Sequence, residues 1–499
     1  MGRRNRRWRR GLARLIAAAK FAAPLWASAG PLPAQSVIAI PGKPNLLIGA
    51  YNVGDLGYME KEFFISGEAA TYVAGTPLAT DGRWTVSPVA KATYTTRIVV
   101  LRPTNGSKFN GTVVVEWLNV SGGLDAPADW FMAHRELVRT GYAYVGVSAQ
   151  KVGIAGGKSL GMDMSLKKVN PARYARLAHP GDAFAFDIFS QAGRLVRDGG
   201  ANGILGGLVA KRVLAAGESQ SAHFLTTYVN AIDPLAKVYD GFLIHSRFSG
   251  SAPLDGSSMM GQANAAMPST VLFRPNLRVP VMTFVTEPDL IGTARSGYYA
   301  ARQPDTARLR VWEIPGTAHA DTYTVQVAPI DTGLAPIEKL AAAYTPADAM
   351  MGAKLAKPIN AAPQHHYVLE AAIAGLDRWV RTGKAPAKGP RIELSTNEPS
   401  QAVRDTNGMA VGGIRTPWVD VPVARNSGTG NAGSVMASLF GSSEAFDTAT
   451  LARLYPGGRV EYLAKFTAAL DRSIRSGFIL PADREEILGL AAAMYPHPH

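Results

Sequence analysis

The stretch RVLAAGESQSAHF, residues 212–224, holds a serine two residues past a glycine, where an apolar run gives way to helix-favouring residues. Gly217-Glu218-Ser219-Gln220-Ser221 follows the G-x-S-x-G nucleophile elbow, with Ser221 in place of the last glycine. Such a turn needs small residues two before and two after the nucleophile, because strand and helix pass closely there, and Gly217 and Ser221 are both small. A serine lifted out at a helix N-terminus sits among outward-pointing N–H groups that favour developing negative charge. The plainer alternative is a serine that only caps a helix.

A hydroxyl becomes a nucleophile when a base takes its proton. The nine histidines are His134, His179, His223, His245, His319, His365, His366, His497 and His499. In the order serine, acid, histidine, only the last five follow Ser219 far enough along the chain. His319 stands in VWEIPGTAHADTY, on a glycine-containing loop directly after an apolar run, and is the expected base. His365 and His366 open a helical pattern and read as cap or surface residues; His497 and His499 lie in the tail; His223, on the helix of Ser219 itself, reads as packing. The acid is expected in VTEPDLIG: Asp289 fits the reach past a strand end, and Glu287 is the alternative. An ordinary imidazole in this role would make activity fall as pH drops through about 6–7.

Two N–H donors are needed for an oxyanion. Gln220, the residue after the serine, supplies one, and the flexible loop Asn119-Val120-Ser121-Gly122-Gly123 supplies the other, with Val120 or Ser121 as the backbone candidates and Asn119 as a side-chain donor. Trp117, Trp130 and Trp418 are candidates to line an apolar substrate pocket, although a tryptophan in a buried strand is more often core.

The elements that must position these residues are legible as runs. TRIVVLRP (96–103), GTVVVEWLN (111–119), YAYVGVSA (142–149), KRVLAAG (211–217), YDGFLIHS (239–246), VPVMTFVT (279–286) and LRVWEIPG (309–316) read as strands, and most from 111 onward are apolar on both faces, as buried parallel strands are. Helical patterns lie between them, in ADWFMAHRELVRTG, DAFAFDIFSQAGRLVRDGG and HHYVLEAAIAGLDRWVRTG, each ending at a glycine. Alternation of this kind implies an α/β fold: a mostly parallel central sheet with helices on both faces. Residues 36–100 read as antiparallel edge strands. Residues 250–275 and 320–365 are candidates for a loop or helix cap, and 385–499 form a C-terminal extension closing with helices around 448–476 and 482–494. A single domain over 36–499 is expected.

With 47% apolar and 18% charged residues in 499, the composition is that of an ordinary globular protein. The absence of cysteine excludes a thiol nucleophile, disulfides and a cysteine-based metal site. The net charge of +14 is concentrated at the start, where residues 1–20 hold seven arginines and Lys20 and no acid. An apolar stretch and then Ala27-Ser28-Ala29 follow, so residues 1–29 read as an export signal, with cleavage as late as 34, and an exported, periplasmic or secreted protein is expected. No later basic patch with interleaved aromatics supports nucleic-acid binding. No later run is long and apolar enough to suggest a membrane span. No G-x-G-x-x-G opens a helix after a strand, which argues against a dinucleotide enzyme. No metal or organic cofactor is called for.

The stretches VVVEWLNVSGG, HPGDAFAFDIFSQAGR, LAAGESQSA, RVWEIPGTAHAD, LDRWVRTGKAPA and GGIRTPWVDVPVA resemble the α/β-hydrolase superfamily and, more narrowly, bacterial secreted α/β-hydrolase domain proteins. The resemblance spans most of the chain after the N-terminal segment. It implies an α/β-hydrolase fold, with the nucleophile at Ser219, the base at His319 and the acid in the segment 287–289. The expected activity is hydrolysis of a small-molecule carboxylic ester through an acyl-enzyme. The same residues could cleave an amide or peptide, and a non-catalytic binding protein on the same scaffold is the reading from another class.

Overall fold

The computed structural model describes residues 36–199, 203–257, 267–292, 295–350 and 353–496. The proposed export signal, and His497 and His499, lie outside the described residues.

All seven strand-like runs form strands of one nine-stranded sheet. In chain order these are β1 (Ser36–Ile40), β2 (Tyr58–Ala74), β3 (Val86–Pro103), β4 (Thr112–Trp117), β5 (Ala143–Val147), β6 (Arg212–Glu218), β7 (Gly241–His245), β8 (Val281–Thr286) and β9 (Leu309–Ile314). Their spatial order is β1-β2-β3-β5-β4-β6-β7-β8-β9. The first three and the β3–β5 pairing are antiparallel; every pairing from β5 to β9 is parallel. The N-terminal residues thus make the antiparallel edge and the apolar runs make the parallel centre, as expected. Strands β4, β5, β7, β8 and β9 are buried along their whole length, because helices cover both faces.

Side chains alternate across the sheet, so each strand feeds two cores. Val113, Val115, Val213, Ala215, Phe242 and Ile244 face one core, with helix α2 (Ala185–Arg197) and helix α3 (Gln220–Thr227). Val114, Leu214, Ala216, Leu243, Met282 and Phe284 face the other, with helix α1 (Ala128–Arg139) and helix α4 (Gln364–Thr382). The helices Gly458–Arg475 and Arg484–Ala493 add Phe466, Leu470, Ile487 and Leu490 to that second core. Helix α4 stops at Gly383, which takes the left-handed conformation (φ 75°) that a side chain would oppose.

The described parts of the two cap candidates each send side chains into these layers. Ala252, Leu254, Val271 and Phe273 are buried in the first core, and Tyr323, Val327, Leu340 and Tyr344 in the second. Among the described residues no helix is long and apolar enough to cross a membrane.

Candidate active site

Strand β6 delivers Glu218 to the C-terminal edge of the sheet, and the chain reverses at Ser219 into α3. Ser219 has φ 55° and ψ −115°, a conformation that a non-glycine residue adopts only under strain from its surroundings. Its N–H donates to His245 O of the adjoining β7 (2.9 Å), and its C=O accepts the first helical bond, from His223 N (3.2 Å). The need for small flanking residues is geometric: a Cβ on Gly217 would stand 3.0 Å from Ser221 Cβ and 3.0 Å from Leu225 Cδ1. Ser221 is fully buried, and its Oγ has no hydrogen-bond partner, so that position uses smallness rather than the hydroxyl.

His319 follows β9 on a loop that turns at Gly316 (φ 69°). Its Nε2 lies 2.8 Å from Ser219 Oγ, and its Nδ1 lies 2.6 Å from Asp289 Oδ1. Asp289 sits in the helical turn Glu287–Ile291 after β8 and is fully buried. Its other oxygen accepts from the N–H (3.2 Å) and the hydroxyl of Thr286, which locks the carboxylate in place. Of the two candidate acids, Asp289 is therefore the one in contact with His319. Glu287 points the other way: it accepts from Gly316 N (2.8 Å), Arg404 Nη2 (2.7 Å), Ser427 Oγ (3.3 Å) and Gly428 N (3.3 Å). It ties the base loop to the C-terminal segment.

A further carboxylate reaches His319. Glu218 Oε1 lies 3.1 Å from His319 Nε2. Burial disfavours the imidazolium, but the Asp289 and Glu218 carboxylates outweigh it and push the His319 pKa up to about 10. This replaces the ordinary imidazole range expected from sequence.

The oxyanion candidates divide. Gln220 is the first residue of α3, where an N–H has no intrahelical acceptor. Val120 N approaches Gln220 Oε1 at 3.5 Å, a long contact that a better acceptor could replace. Ser121 N, by contrast, is engaged by Asn119 Oδ1 at 2.7 Å. Asn119 Nδ2 donates to Glu218 O (3.1 Å) and Glu218 Oε2 (2.9 Å), so it holds Glu218 rather than facing outward as a free donor.

Beside these groups opens a cavity of about 290 Å³, lined among others by Val120, Ser121, Gln150, Val152, Gln220 and Phe224. The three tryptophans proposed for a pocket are core residues instead. Trp117 takes the inward position on β4, packs against Phe186, Phe189 and Phe224, and donates to Gln150 Oε1 (3.1 Å). Trp130 lies on the opposite face of the sheet, against Tyr144, donating to Ile48 O (3.1 Å). Trp418 stacks on Tyr367 in the second core. Each has both faces covered by the layer it belongs to.

His365 and His366 are not surface residues: both are fully buried, because α4 is covered on every side along its first turns. His365 Nε2 lies 2.9 Å from His245 Nε2, and His245 Nδ1 lies 2.9 Å from Asp129 Oδ1. Burial lowers the pKa of all three of His245, His365 and His366, to about 4 for His245. His223 is buried against Phe248 with Nδ1 3.0 Å from Ser219 O, the packing role expected of it. Among the described residues no cluster of histidine and acidic side chains has the makings of a metal site. The place of Glu218, last on the strand and next to the serine, is a sequence signal that it lies at the site, but not that it touches His319.

No curated protein sequence matches the chain. Solved structures similar to it include a thermostable esterase from Pseudomonas putida ECU1011, at 14% identity over 48% of this chain and 66% of that one (TM-score 0.27). Esterase Est22 is similar at 13% identity over 46% and 64% (TM-score 0.27), and a fungal esterase from Rhizomucor miehei at 13% over 44% and 66% (TM-score 0.23). Such partial overlaps concern the fold alone. The alpha/beta hydrolase domain family matches residues 24–489, and with the sheet order and strand-edge loops described above, the chain belongs to that family.

Proposed function

We propose that this protein is a serine hydrolase cleaving carboxylic esters, with Ser219 as nucleophile, His319 as base and Asp289 as its orienting acid. The observation that carries the reading is the unbroken hydrogen-bonded line from Ser219 Oγ through His319 to Asp289. His319 Nε2 takes the Ser219 proton as Oγ bonds the acyl carbon, and the carbonyl electron pair moves onto oxygen. The N–H groups of Gln220 and Val120 receive that oxyanion. Collapse breaks the bond to the leaving alkoxide, which takes the proton from Nε2 and departs as the alcohol. Water then attacks the acyl-enzyme by the same route and releases the acid. Asp289, fixed by Thr286, keeps the proton of Nδ1 in place throughout, so that Nε2 is the nitrogen that exchanges. We further propose export, on the basic, then apolar, then small-residue succession of the first 29 residues.

A panel of p-nitrophenyl esters with matching anilides, run with a fluorophosphonate probe, tests the reading. Ester turnover and labelling are expected in the wild type. In Ser219→Ala labelling disappears and kcat falls on the order of 10⁶-fold, with unchanged circular dichroism. Undiminished turnover in a folded Ser219→Ala protein would remove Ser219 from the chemistry, and faster anilide than ester cleavage would make it an amidase.

A further inference from the structure

His319 Nε2 has two neighbours, Ser219 Oγ at 2.8 Å and Glu218 Oε1 at 3.1 Å. The second is chemically demanding. With Nδ1–H directed at Asp289, a neutral imidazole presents a lone pair at Nε2, and a carboxylate oxygen presents only lone pairs. A contact of 3.1 Å between them is attractive only when a proton lies between the two atoms. Glu218 is not free to swing away from this contact. Its Oε2 accepts from Asn119 Nδ2 (2.9 Å), the same amide donates to Glu218 O (3.1 Å), and Asn119 Oδ1 is itself held by Ser121 N–H (2.7 Å). The loop that supplies Val120 therefore also aims Glu218 at the base.

Resting on the reading of Ser219 as nucleophile, we propose that Glu218 is a positioning residue that acts through His319: it accepts the Nε2 proton of the imidazolium and so sets the proton occupancy of the base. In the resting site Nε2–H points at Glu218. The base is available to Ser219 once that proton has left to solvent. During turnover the proton that Nε2 takes from Ser219 Oγ is shared with Glu218 until it passes to the leaving alkoxide.

The surroundings agree in sign. The groups facing His319 are Asp289 from the turn after β8, Glu218 from β6, His223 from α3, His245 from β7 and His365 from α4. Burial lowers the pKa of these three histidines, which leaves them neutral around His319; Arg247 and Arg295 stand near His223, and the buried Asp129 faces Glu218. The two carboxylates are thus what opposes burial at His319 and raises it to about 10. Since the neutral base is the active form, a raised value moves the acid limb of activity to alkaline pH, and removing one of the two carboxylates moves it back down.

The test is the rate of fluorophosphonate labelling as a function of pH, from the range where free imidazoles titrate into the alkaline range. Wild type, Glu218→Gln and Glu218→Asp are compared, with Ser219→Ala as the blank. The wild-type rate is expected to climb well into alkaline pH. Glu218→Gln keeps the size and an acceptor for Asn119 and loses the charge; its limb moves down by about one pH unit or more, so it labels severalfold faster than wild type near neutrality. Glu218→Asp withdraws the carboxylate by one methylene and gives a smaller displacement in the same direction, which carries the test if Glu218→Gln does not fold. Limbs that coincide with wild type in the folded variants, or move upward, overturn the proposal. Labelling of Ser219→Ala at the wild-type rate overturns the serine reading itself, and this proposal with it.

Discussion

Two acidic residues stand two apart after β8, and their environments separate their roles. Asp289 is fully buried and faces His319 Nδ1 at 2.6 Å. Glu287 is just as buried but accepts four donors on the far side of the turn. Pro288 between them is the second residue of the helical turn Glu287–Ile291, so side chains two apart leave in different directions. Asp289→Asn is therefore expected to keep the fold and to lower kcat by up to about 10⁴-fold, because an amide favours the wrong imidazole tautomer. Glu287→Gln is expected to lower the melting temperature while changing kcat far less. Kinetics on one ester and thermal unfolding of both variants check this, and the opposite ranking of kcat would transfer the acid role to Glu287.

At the scale of the element, the elbow is a packing problem. Strand β6 and helix α3 approach so closely at Gly217 that an added methyl meets Ser221 and Leu225 at 3.0 Å. Gly217→Ala is expected to destabilise by about 1–3 kcal/mol, as overpacked cores do, and to lower kcat by displacing Ser219. Ser221→Ala has the opposite sign. Its buried Oγ lacks a partner, so removing it should leave stability unchanged or raise it by about 1 kcal/mol, with activity retained. Denaturant melts of the two variants measure both effects. A stability loss in Ser221→Ala would mean that the hydroxyl, not the smallness, is what the position uses.

Across the whole molecule, the C-terminal segment reaches back to the base loop. Arg404, Ser427 and Gly428 converge on Glu287, and Glu287 in turn holds Gly316 at the turn before His319. Residues more than a hundred positions apart in the chain are therefore tied together beside the loop that carries His319. Arg404→Ala leaves a buried carboxylate without its cation and is expected to cost about 1–3 kcal/mol of stability. It should also lower kcat more than KM changes, since Arg404 is not among the residues that line the cavity beside Val120, Gln220 and Phe224. Denaturant titration with steady-state kinetics on the same preparation checks this; a KM effect alone would mean that the segment contacts substrate instead.

The sequence by itself determined the strands, their parallel centre and antiparallel edge, and which loops carry Ser219, His319 and Asp289, because each of these follows from local rules. Continuous apolar runs mark strands buried on both faces, and the glycine–serine spacing marks a tight reversal. Asp289 is already preferred by its reach, but its contact with His319 and the turning away of Glu287, like the core positions of Trp117, Trp130 and Trp418, needed the tertiary structure, since each depends on which face of an element meets which layer. His365 and His366 read as surface because α4 opens with polar residues; only the layers packed around it make them buried. The contact of Glu218 with His319 was equally out of reach. It joins the ends of β6 and β9, which β7 and β8 separate in the sheet, and no periodicity within either segment encodes a distance between them.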